Sequence, residues 1–256
     1  MTTDTMDWYP TPSYLVKRRV ILEFIDTLDA CTFLEVGCGA GDLVAALAAR
    51  GMRGLGIDIA ADALEIARAR LRSTTVSVAQ RSVEEVADEF DLVIASEVLE
   101  HYEDDIEFLL RLRDRVRPGG HLLLTVPAHM ARWGANDDFC GHVRRYGRRE
   151  LEEKLAAVGL APVAVYSYGV PVYNLMKPFY DRAVAGKTGE ATGREERTRK
   201  SSGMWLFQGL GRLFSLLFND VTMYPFYLIQ RWFYATDLGN GYFVAAKNTA
   251  NRGTSQ

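Results

Sequence analysis

The stretch Phe33–Leu43, FLEVGCGAGDL, decides the fold, because a short apolar run gives way to three alternating glycines and then to a helical pattern. Glycines between a strand and a helix allow a tight turn and a close approach of the backbone to a ligand. A dinucleotide loop has the spacing G-x-G-x-x-G, and its last glycine would fall on Asp42. Glu35 precedes the first glycine, and the next apolar run ends in GIDIA, which places Asp58 beside the loop. A carboxylate there can accept both hydroxyls of a ribose.

Short apolar runs alternate with amphipathic stretches on both sides of this loop. Helical spacing of apolar residues extends over 13–29, and the runs CTFLEVG, GLGIDI, TVSVAQ, FDLVIAS and HLLLTVPA are typical of strands. Near-continuous apolar strands that alternate with helices indicate a parallel sheet covered on both faces. APVAVYSYG and NGYFVAAKN are further strand-like runs toward the end of the chain. The sequence predicts an α/β, doubly wound sheet.

Composition excludes several other classes of protein. The chain has 256 residues, a net charge of -3 and an isoelectric point of about 5.9, which gives no overall electrostatic case for nucleic acid as a partner. Its three cysteines show no C-x-x-C spacing, so we expect neither a disulfide framework nor a zinc knuckle. Neither an apolar signal region nor an apolar run of roughly 18 residues is found. We therefore expect a cytoplasmic protein.

An ordered set of motifs resembles the class I S-adenosylmethionine (SAM)-dependent methyltransferases. LEVGCGAG and GIDIA are followed by VAQRSVEEV, FDLVIASEVLEHYED and VRPGGHLLLTVP, and together they cover roughly residues 32–160. The closest likeness is to the group that contains the ubiquinone-pathway O-methyltransferases. The resemblance implies a Rossmann-like sheet of seven strands whose sixth and seventh strands, APVAVYSYG and NGYFVAAKN, form a hairpin, with a helical insertion between these last two. The resemblance implies SAM as cofactor, S-adenosyl-L-homocysteine (SAH) as product, and methyl transfer to oxygen of a small apolar, aromatic or lipid-linked acceptor. N- or C-methyl transfer and a noncatalytic SAM-binding module are the alternatives.

The resemblance also implies a set of cofactor-binding residues. Gly37, Cys38 and Gly39 would line the methionine half of SAM, and Glu35 would support that loop or bind the amino group. Asp58 would bind the ribose hydroxyls. The remaining positions on the core are Ile59, Ser82 and Val83 against the adenine and Ser96 against the methionine moiety. Many relatives have an Asp near Ser82, and its absence here leaves the adenine amino group to backbone atoms or to Glu84.

The first predicted helix carries two further candidates. Tyr14, Arg18 and Ile21 fall on one face at spacings i, i+4 and i+7. Arg18 stands where a buried helix would carry an apolar residue. One interpretation is a surface Arg whose stem packs on the protein while its charge stays in water. The other, which the resemblance implies, is that Tyr14 and Arg18 close over SAM and that Arg18 pairs with its carboxylate.

Two histidines lie near the predicted catalytic edge. Methyl transfer to a hydroxyl benefits from a base, and His is the usual one near neutral pH. We therefore expect His142 and His101 to be catalytic, His142 as the base. Glu97, Glu100 and His101 stand at i, i+3 and i+4, and some ubiquinone-type relatives bind metal with a similar E-x-x-E-H. A divalent ion held by these three is the alternative and is not expected.

The stretch NDDFCGHVRRYGRRE, residues 136–150, follows the fifth strand and is unusually dense in charged groups. It has no apolar period, so we expect a connector at the edge where the SAM methyl group would emerge. Similar methyltransferases carry G-H-x-R-x-Y here. We predict that the acceptor is bound by Asp138, Arg144, Arg145 and Tyr146. The alternative is a solvated loop, and for residues 148–150 our interpretation is that they open the solvated face of the following helix, GRRELEEKLAAVGL.

About seventy residues separate the last two strands, far more than an ordinary connection. Their first part is charged and Gly-rich. Their second part contains Trp205, Phe207, Phe214, Phe218, Tyr224, Phe226, Tyr227, Trp232, Phe233 and Tyr234. Three interpretations stay open: part of the core or of a homodimer interface, a lid over a large apolar acceptor, or a face that rests on a membrane surface. We divide the chain into a cofactor-closing helix (1–30), a core (31–169), this insertion (170–238), a last strand (239–248) and a flexible tail (249–256).

Overall fold

The computed structural model describes residues 8–71, 75–185 and 216–250. Seven strands form one sheet in the order β3-β2-β1-β4-β5-β7-β6. Strands β1 to β5 pair in parallel, and β7 is antiparallel to both of its neighbours. The strands are β1 (Thr32–Val36), β2 (Arg53–Asp58), β3 (Val76–Gln80), β4 (Phe90–Ser96), β5 (Val116–Pro127), β6 (Leu160–Tyr168) and β7 (Gly241–Asn248). The predicted fold class is confirmed.

Helices connect these strands and flank the sheet. They are α1 (Pro12–Ile25), α2 (Asp42–Ala48), α3 (Ala61–Arg70), α4 (Asp105–Arg113), α5 (Ala135–Cys140), α6 (Arg148–Ala157), α7 (Val172–Val184) and α8 (Tyr224–Arg231). Helix α1 begins where Thr11 accepts a hydrogen bond from the Tyr14 amide, with Pro12 at its first position. No described helix is long and apolar enough to span a bilayer.

Alternate residues of each central strand enter two different cores. Phe33 belongs to one buried cluster and its neighbour Leu34 to the other, and Leu123 and Leu124 divide in the same way. Side chains of a strand point alternately to opposite faces, so apolar residues at every position require cover on both faces. Each fully buried Leu of this kind stabilises the fold by about 2 kcal/mol.

Two local predictions were wrong. The pattern of EDDIEFLLRLRDRVRPGG, residues 103–120, predicts a helix that continues through its Pro-Gly-Gly turn, but α4 ends at Arg113 and β5 already begins at Val116. Val116 pairs with Phe90 of β4 before a register shift, so residues ahead of the turn extend the sheet. We also expected residues 136–150 to be a connector, but α5 lies at its start, because Phe139 and Cys140 pack against Val184 of α7.

The insertion packs against the first helix. Leu15 and Val16 of α1 form a buried cluster with Val172 of α7 and with Met223 and Tyr227 beside and within α8. The predicted aromatic residues Trp205, Phe207 and Phe214, and the charged Gly-rich part, lie outside the described residues. The proposed division of the chain at residues 170 and 238 stays a prediction.

Candidate functional site

The glycine loop between β1 and α2 is anchored on the end of β2. The amides of Gly37 and Cys38 donate to the Ile57 carbonyl at 2.8 and 3.0 Å. Gly37 has φ +74°, and a Cβ atom there would lie 2.6 Å from Val98 Cγ2, so no larger residue fits without a shift. At Gly39, with φ +50°, a Cβ would meet no atom within 4 Å. The backbone of Gly39 is therefore open to an incoming group.

Asp58 holds this loop through one backbone amide and is itself oriented by a second amide two residues further along the chain. Its Oδ2 accepts from Gly39 N at 2.8 Å and its Oδ1 from Ala60 N at 2.9 Å. The side chain is buried, and burial raises the pKa of the carboxyl while these amides lower it. A ligand that donates hydroxyl protons to this carboxylate would find it already oriented, as the predicted ribose role requires. That role stays a prediction.

Glu35, two residues before Gly37, has a buried carboxyl oxygen that could accept another hydrogen bond. It is 4% exposed, and its Oε2 has no hydrogen-bond partner among the described residues. Burial, with Asp42 and Asp58 nearby, raises the pKa of this carboxyl well above its usual range. A cationic donor would offset the cost of that burial. The amino group of SAM is such a donor. The buried, unpartnered oxygen of Glu35 therefore fits the predicted cofactor.

The other predicted cofactor residues differ in how open they are. Ile59 is half-buried, whereas Val83 is 2% exposed and belongs to the core, so its side chain faces away from a ligand. Ser82 forms a capping box with Glu85. Ser96 shares a 2.8 Å hydrogen bond with Thr125 at the end of β4. The Val83 side chain fills the core, so only its backbone is left to flank an adenine, and that predicted role stays a prediction.

Cys38 contributes its backbone rather than its side chain. The thiol is buried toward Gly56, where a side chain would have no room, since a Cβ on Gly56 would lie 3.0 Å from the sulfur. Burial raises the pKa of the thiol well above its usual range. A buried protonated thiol is not a nucleophile, so we assign Cys38 no chemistry beyond shaping the loop.

Tyr14 and Arg18 reach the loop from α1. Both donate to Oδ2 of Asp42, the first residue of α2, at 3.0 and 2.6 Å respectively. Arg18 also donates to Asp220 Oδ2 at 2.6 Å. The Arg18 side chain is only 14% exposed, so the interpretation of a solvated surface Arg is wrong. The Asp that replaces the third glycine of a dinucleotide loop therefore serves to bind α1.

A second group of polar side chains lies at the carboxyl end of β4. Glu97 adopts a φ of +58°, which is uncommon for a residue with a side chain, and its Oε1 accepts a 2.7 Å hydrogen bond from Tyr168. Glu100 is fully buried, and neither of its carboxyl oxygens has a hydrogen-bond partner among the described residues. Burial and the neighbouring Glu97 raise the pKa of Glu100 well above its usual range.

His142 is held between two acids. Its Nδ1 lies 2.9 Å from Asp137 Oδ1, and its Nε2 lies 3.8 Å from Glu100 Oε1. Burial raises the pKa of Asp137, but hydrogen bonds from His142 and Arg145 lower it to about 2. Asp137 is therefore an anion that accepts the Nδ1 proton, which leaves Nε2 as a base facing Glu100. The His101 ring lies 5.0 Å from the His142 ring, measured between centroids.

One set of donors in this region could hold a cation. Ligand atoms of Glu100, His101 and His142 lie within 4.8 Å of one another. This set differs from the predicted one, because His142 takes the place of Glu97, whose carboxylate is bound by Tyr168. Two imidazoles and one carboxylate are ligands that suit Zn²⁺ and other first-row metals.

The predicted acceptor residue Arg145 is a structural residue. It is 3% exposed and donates to Asp137 Oδ1 at 2.8 Å, to the Ala128 carbonyl and to Asn240 Oδ1. Its charge is already neutralised inside the protein. These contacts point to a structural role for Arg145, and its predicted role in binding the acceptor stays a prediction. It supports Asp137, and through Asp137 the orientation of His142.

Arg144 and Tyr146 also have partners inside the protein, and their predicted roles in binding the acceptor stay predictions. Both donate to Oδ2 of the buried Asp105, at 2.8 and 3.1 Å, and Lys154 donates to its other oxygen at 2.9 Å. The dense charges of residues 144–146 thus neutralise two buried carboxylates. Asp138 is exposed and accepts from Trp133 Nε1 at 2.9 Å, and its predicted role in binding the acceptor stays a prediction.

Sequence reasoning missed the partners that make this region a unit. Tyr168 lies 71 residues from Glu97, and no local pattern marks so distant a hydrogen bond. Asp105 stands in the first turn of α4, where acidic residues ordinarily interact with the helix dipole. A signal for Asp105 existed only in the excess of basic residues at 144–149, which require anions.

Comparison with known proteins gives the family context of these residues. The family model described as "Methyltransferase domain" matches residues 15–165. A ubiquinone biosynthesis O-methyltransferase from Alkalilimnicola ehrlichii is 36% identical over 116 residues, which cover 43% of this chain and 47% of the relative. A protein of the same name from Methylococcus capsulatus is 40% identical over 93 residues, 34% of this chain and 39% of the relative. The matches thus span about half or less of these relatives.

Solved structures share the fold at low sequence identity. Phosphoethanolamine N-methyltransferase 2 of Haemonchus contortus, in complex with SAM, aligns with a TM-score of 0.59 at 17% identity, over 91% of this chain and 52% of that chain. The cyclase SpnF aligns with a TM-score of 0.60 at 16% identity, over 93% and 82%. At such identities the likeness shows the fold alone. The sheet matches the predicted Rossmann-like methyltransferase architecture.

Proposed function

This chain belongs to the methyltransferase domain family, and from that premise we propose that it transfers the methyl group of SAM to an oxygen atom of a small apolar acceptor and releases SAH. The observation that carries the proposal is the glycine loop. Asp58 accepts a hydrogen bond from its Gly39 amide, and the buried Glu35 carboxyl just before the loop has an oxygen with no hydrogen-bond partner among the described residues. The predicted methyltransferase class agrees with the family match. Relatives named O-methyltransferases support oxygen as the accepting atom.

The cofactor-binding half of the site would use groups that are already in place. Gly37 and Gly39 expose backbone at the loop, Glu35 would bind the ammonium group, and Asp58 would bind the ribose hydroxyls. Arg18 would pair with the carboxylate of the methionine moiety. When bound, SAM supplies a methyl group activated by a sulfonium. The chain must then mainly align the accepting atom and exclude water.

The accepting half would be organised by His142. Its Nε2 can take the hydroxyl proton of an acceptor while ionised Asp137 holds the proton on Nδ1 and stabilises the imidazolium that forms. Arg145 and the Gly134 amide hold Asp137 in turn. An acceptor that is already an anion needs no base. Dependence of turnover on His142 therefore distinguishes a hydroxyl acceptor from a carboxylate acceptor.

We further propose that the insertion meets a membrane surface and thereby reaches an apolar or lipid-linked acceptor. Of the twelve large apolar side chains exposed among the described residues, ten lie in the insertion. In α8, Tyr224, Leu228 and the following Trp232 form an exposed stripe at i, i+4 and i+8, while Tyr227 and Gln230 are buried. Amphipathic helices with Trp and Leu on one face lie in the membrane interface. Homodimer formation through this stripe is the competing outcome.

The test measures SAH release and SAH binding separately. The purified chain is incubated with SAM and a panel of alkylated phenols, catechols and fatty acids, and SAH is quantified by mass spectrometry. His142→Ala should lower turnover on hydroxyl acceptors about a hundredfold or more while SAH binds as before. His121→Ala, on the remote part of β5, is the matched control. SAH binding without turnover on any acceptor favours a noncatalytic module, and absent SAH binding overturns the proposal.

A further inference from the structure

Helix α1 carries one residue that touches both the glycine-loop side and the insertion. Arg18 Nη1 lies 2.6 Å from Asp42 Oδ2 at the start of α2, and Arg18 Nη2 lies 2.6 Å from Asp220 Oδ2, ahead of α8. We call Arg18, Asp42 and Asp220 the clasp. It is an ion-pair connection between the loop expected to hold the cofactor and the insertion expected to meet the acceptor.

The charges of the clasp leave no capacity for a third anion. One guanidinium already faces two carboxylates, so the group carries a net negative charge. A further carboxylate can bind Arg18 only if one of the two present withdraws. Asp42 is held more firmly, because it is 17% exposed and also accepts from Tyr14, with Arg70 3.8 Å away. Asp220 is 60% exposed, and its Oδ1 accepts a hydrogen bond from Tyr227 at 3.1 Å, so water can replace Arg18 at Oδ2 at little cost while the Tyr227 contact remains.

We infer that Arg18 couples the cofactor site to the insertion: a ligand carboxylate competes with Asp220 for Arg18, and its binding releases the segment ahead of α8 from α1. The inference rests on the proposed function, because the competing carboxylate is that of SAM or SAH. Coupling of this kind is reciprocal. Removal of the Asp220 charge should therefore strengthen cofactor binding, and cofactor binding should loosen the contact that Asp220 makes.

The loosening is local, because other contacts keep the insertion in place. Gln230 of α8 is buried, donates to the Val16 carbonyl at 3.2 Å and accepts from the Gly169 amide at 2.8 Å. The apolar cluster between α1, α7 and α8 lies beside this contact. Release of Asp220 therefore exposes the residues ahead of α8 while the buried side of α8 stays docked on α1.

The experiment compares two charge-removing variants at the same interface. Asp220→Asn removes one charge of the clasp, whereas Glu23→Gln removes a second ion pair between α1 and the insertion, Glu23 with Arg231 at 3.0 Å, and leaves Arg18 unchanged. SAH affinity is measured by isothermal titration calorimetry. We expect Asp220→Asn to bind SAH about two- to fivefold more tightly than the unaltered chain and Glu23→Gln to bind it equally. Thermal unfolding of each variant checks that it is folded.

Hydrogen exchange gives a second measurement that needs no turnover. In the unaltered chain, SAH should raise amide exchange in residues 216–223. In Asp220→Asn, exchange there should already be raised and should not respond to SAH. Unchanged or weaker SAH binding by folded Asp220→Asn overturns the coupling alone, as does equal tightening by Glu23→Gln. Absent SAH binding by the unaltered chain overturns both the proposed function and the coupling.

Discussion

Replacement of Asp137 by Asn tests how the charged stretch at residues 136–150 is held together. The substitution keeps the shape of the side chain and removes its charge. Asp137 Oδ1 accepts from Arg145 Nε at 2.8 Å and lies 2.9 Å from His142 Nδ1, and Oδ2 accepts from the Gly134 amide at 2.8 Å. Arg145 is itself buried, so the variant leaves a cation inside the protein without its anion.

The structure gives the size of the effect. The Asp137 pKa is lowered from 3.8 to about 2, and at about 1.4 kcal/mol per pH unit this difference corresponds to about 2.5 kcal/mol of stability at neutral pH. Because the folded pKa lies below the unfolded one, this stability is present above pH 3.8 and disappears as the pH falls toward 2. The buried Arg145 left without its anion brings the expected loss to about 3 to 5 kcal/mol.

Urea unfolding at several pH values measures this loss. Asp137→Asn should be less stable than the unaltered chain at pH 7, and the difference should shrink by roughly 1 kcal/mol by pH 3. The neighbouring exposed Asp138 supplies the matched control, because Asp138→Asn should change the free energy of unfolding by less than about 0.5 kcal/mol. A difference for Asp137→Asn that is below 1 kcal/mol, or that does not depend on pH, refutes the assignment of an ionised, buried Asp137.

Three further outcomes are expected. Asp58→Ala should weaken SAH binding about tenfold or more in calorimetry, and Asp62→Ala should not; equal losses would argue against the ribose role. Trp232→Ser should lower co-sedimentation with anionic vesicles severalfold without changing the melting temperature, since the side chain is 80% exposed; a shift from dimer to monomer instead would favour a homodimer interface. Glu100→Gln in EDTA should raise the free energy of unfolding at pH 7 and leave it unchanged near pH 4.

Much of the fold could be predicted because burial of the central strands on both faces leaves a continuous apolar run in the sequence. Residues such as Phe33 and Leu34 must both be apolar when a strand is covered on two faces, and that requirement is visible in the sequence. The start of β5 could not be predicted, because Val116 joins the sheet through a pairing with Phe90 that precedes a register shift. Local propensity carries no information about such a distant pairing.

The candidate site also contains residues that could be predicted from neighbouring positions and residues that could not. Gly37, Gly39 and Asp58 were predicted from neighbouring positions and lie together in the structure. The functions of the charged residues were harder to predict, since an Arg that binds a ligand and an Arg that neutralises a buried carboxylate have the same sequence signature. Arg145 proved to be the second kind, and only the burial of Asp137 distinguishes them.

The two acids beside His142 contribute to stability with opposite dependence on pH. For this reason we expect Glu100→Gln to stabilise the chain at neutral pH. Burial raises the pKa of Glu100, so the folded state retains a proton that the unfolded state loses above pH 4.5, and stability falls as the pH rises. A neutral amide avoids that loss. A cation bound by Glu100, His101 and His142 would reverse the sign, because the carboxylate would then have a partner. Greater stability of the unaltered chain when Zn²⁺ replaces EDTA, with no such gain in Glu100→Gln, would show that Glu100 serves as a metal ligand and not as a neutral acid.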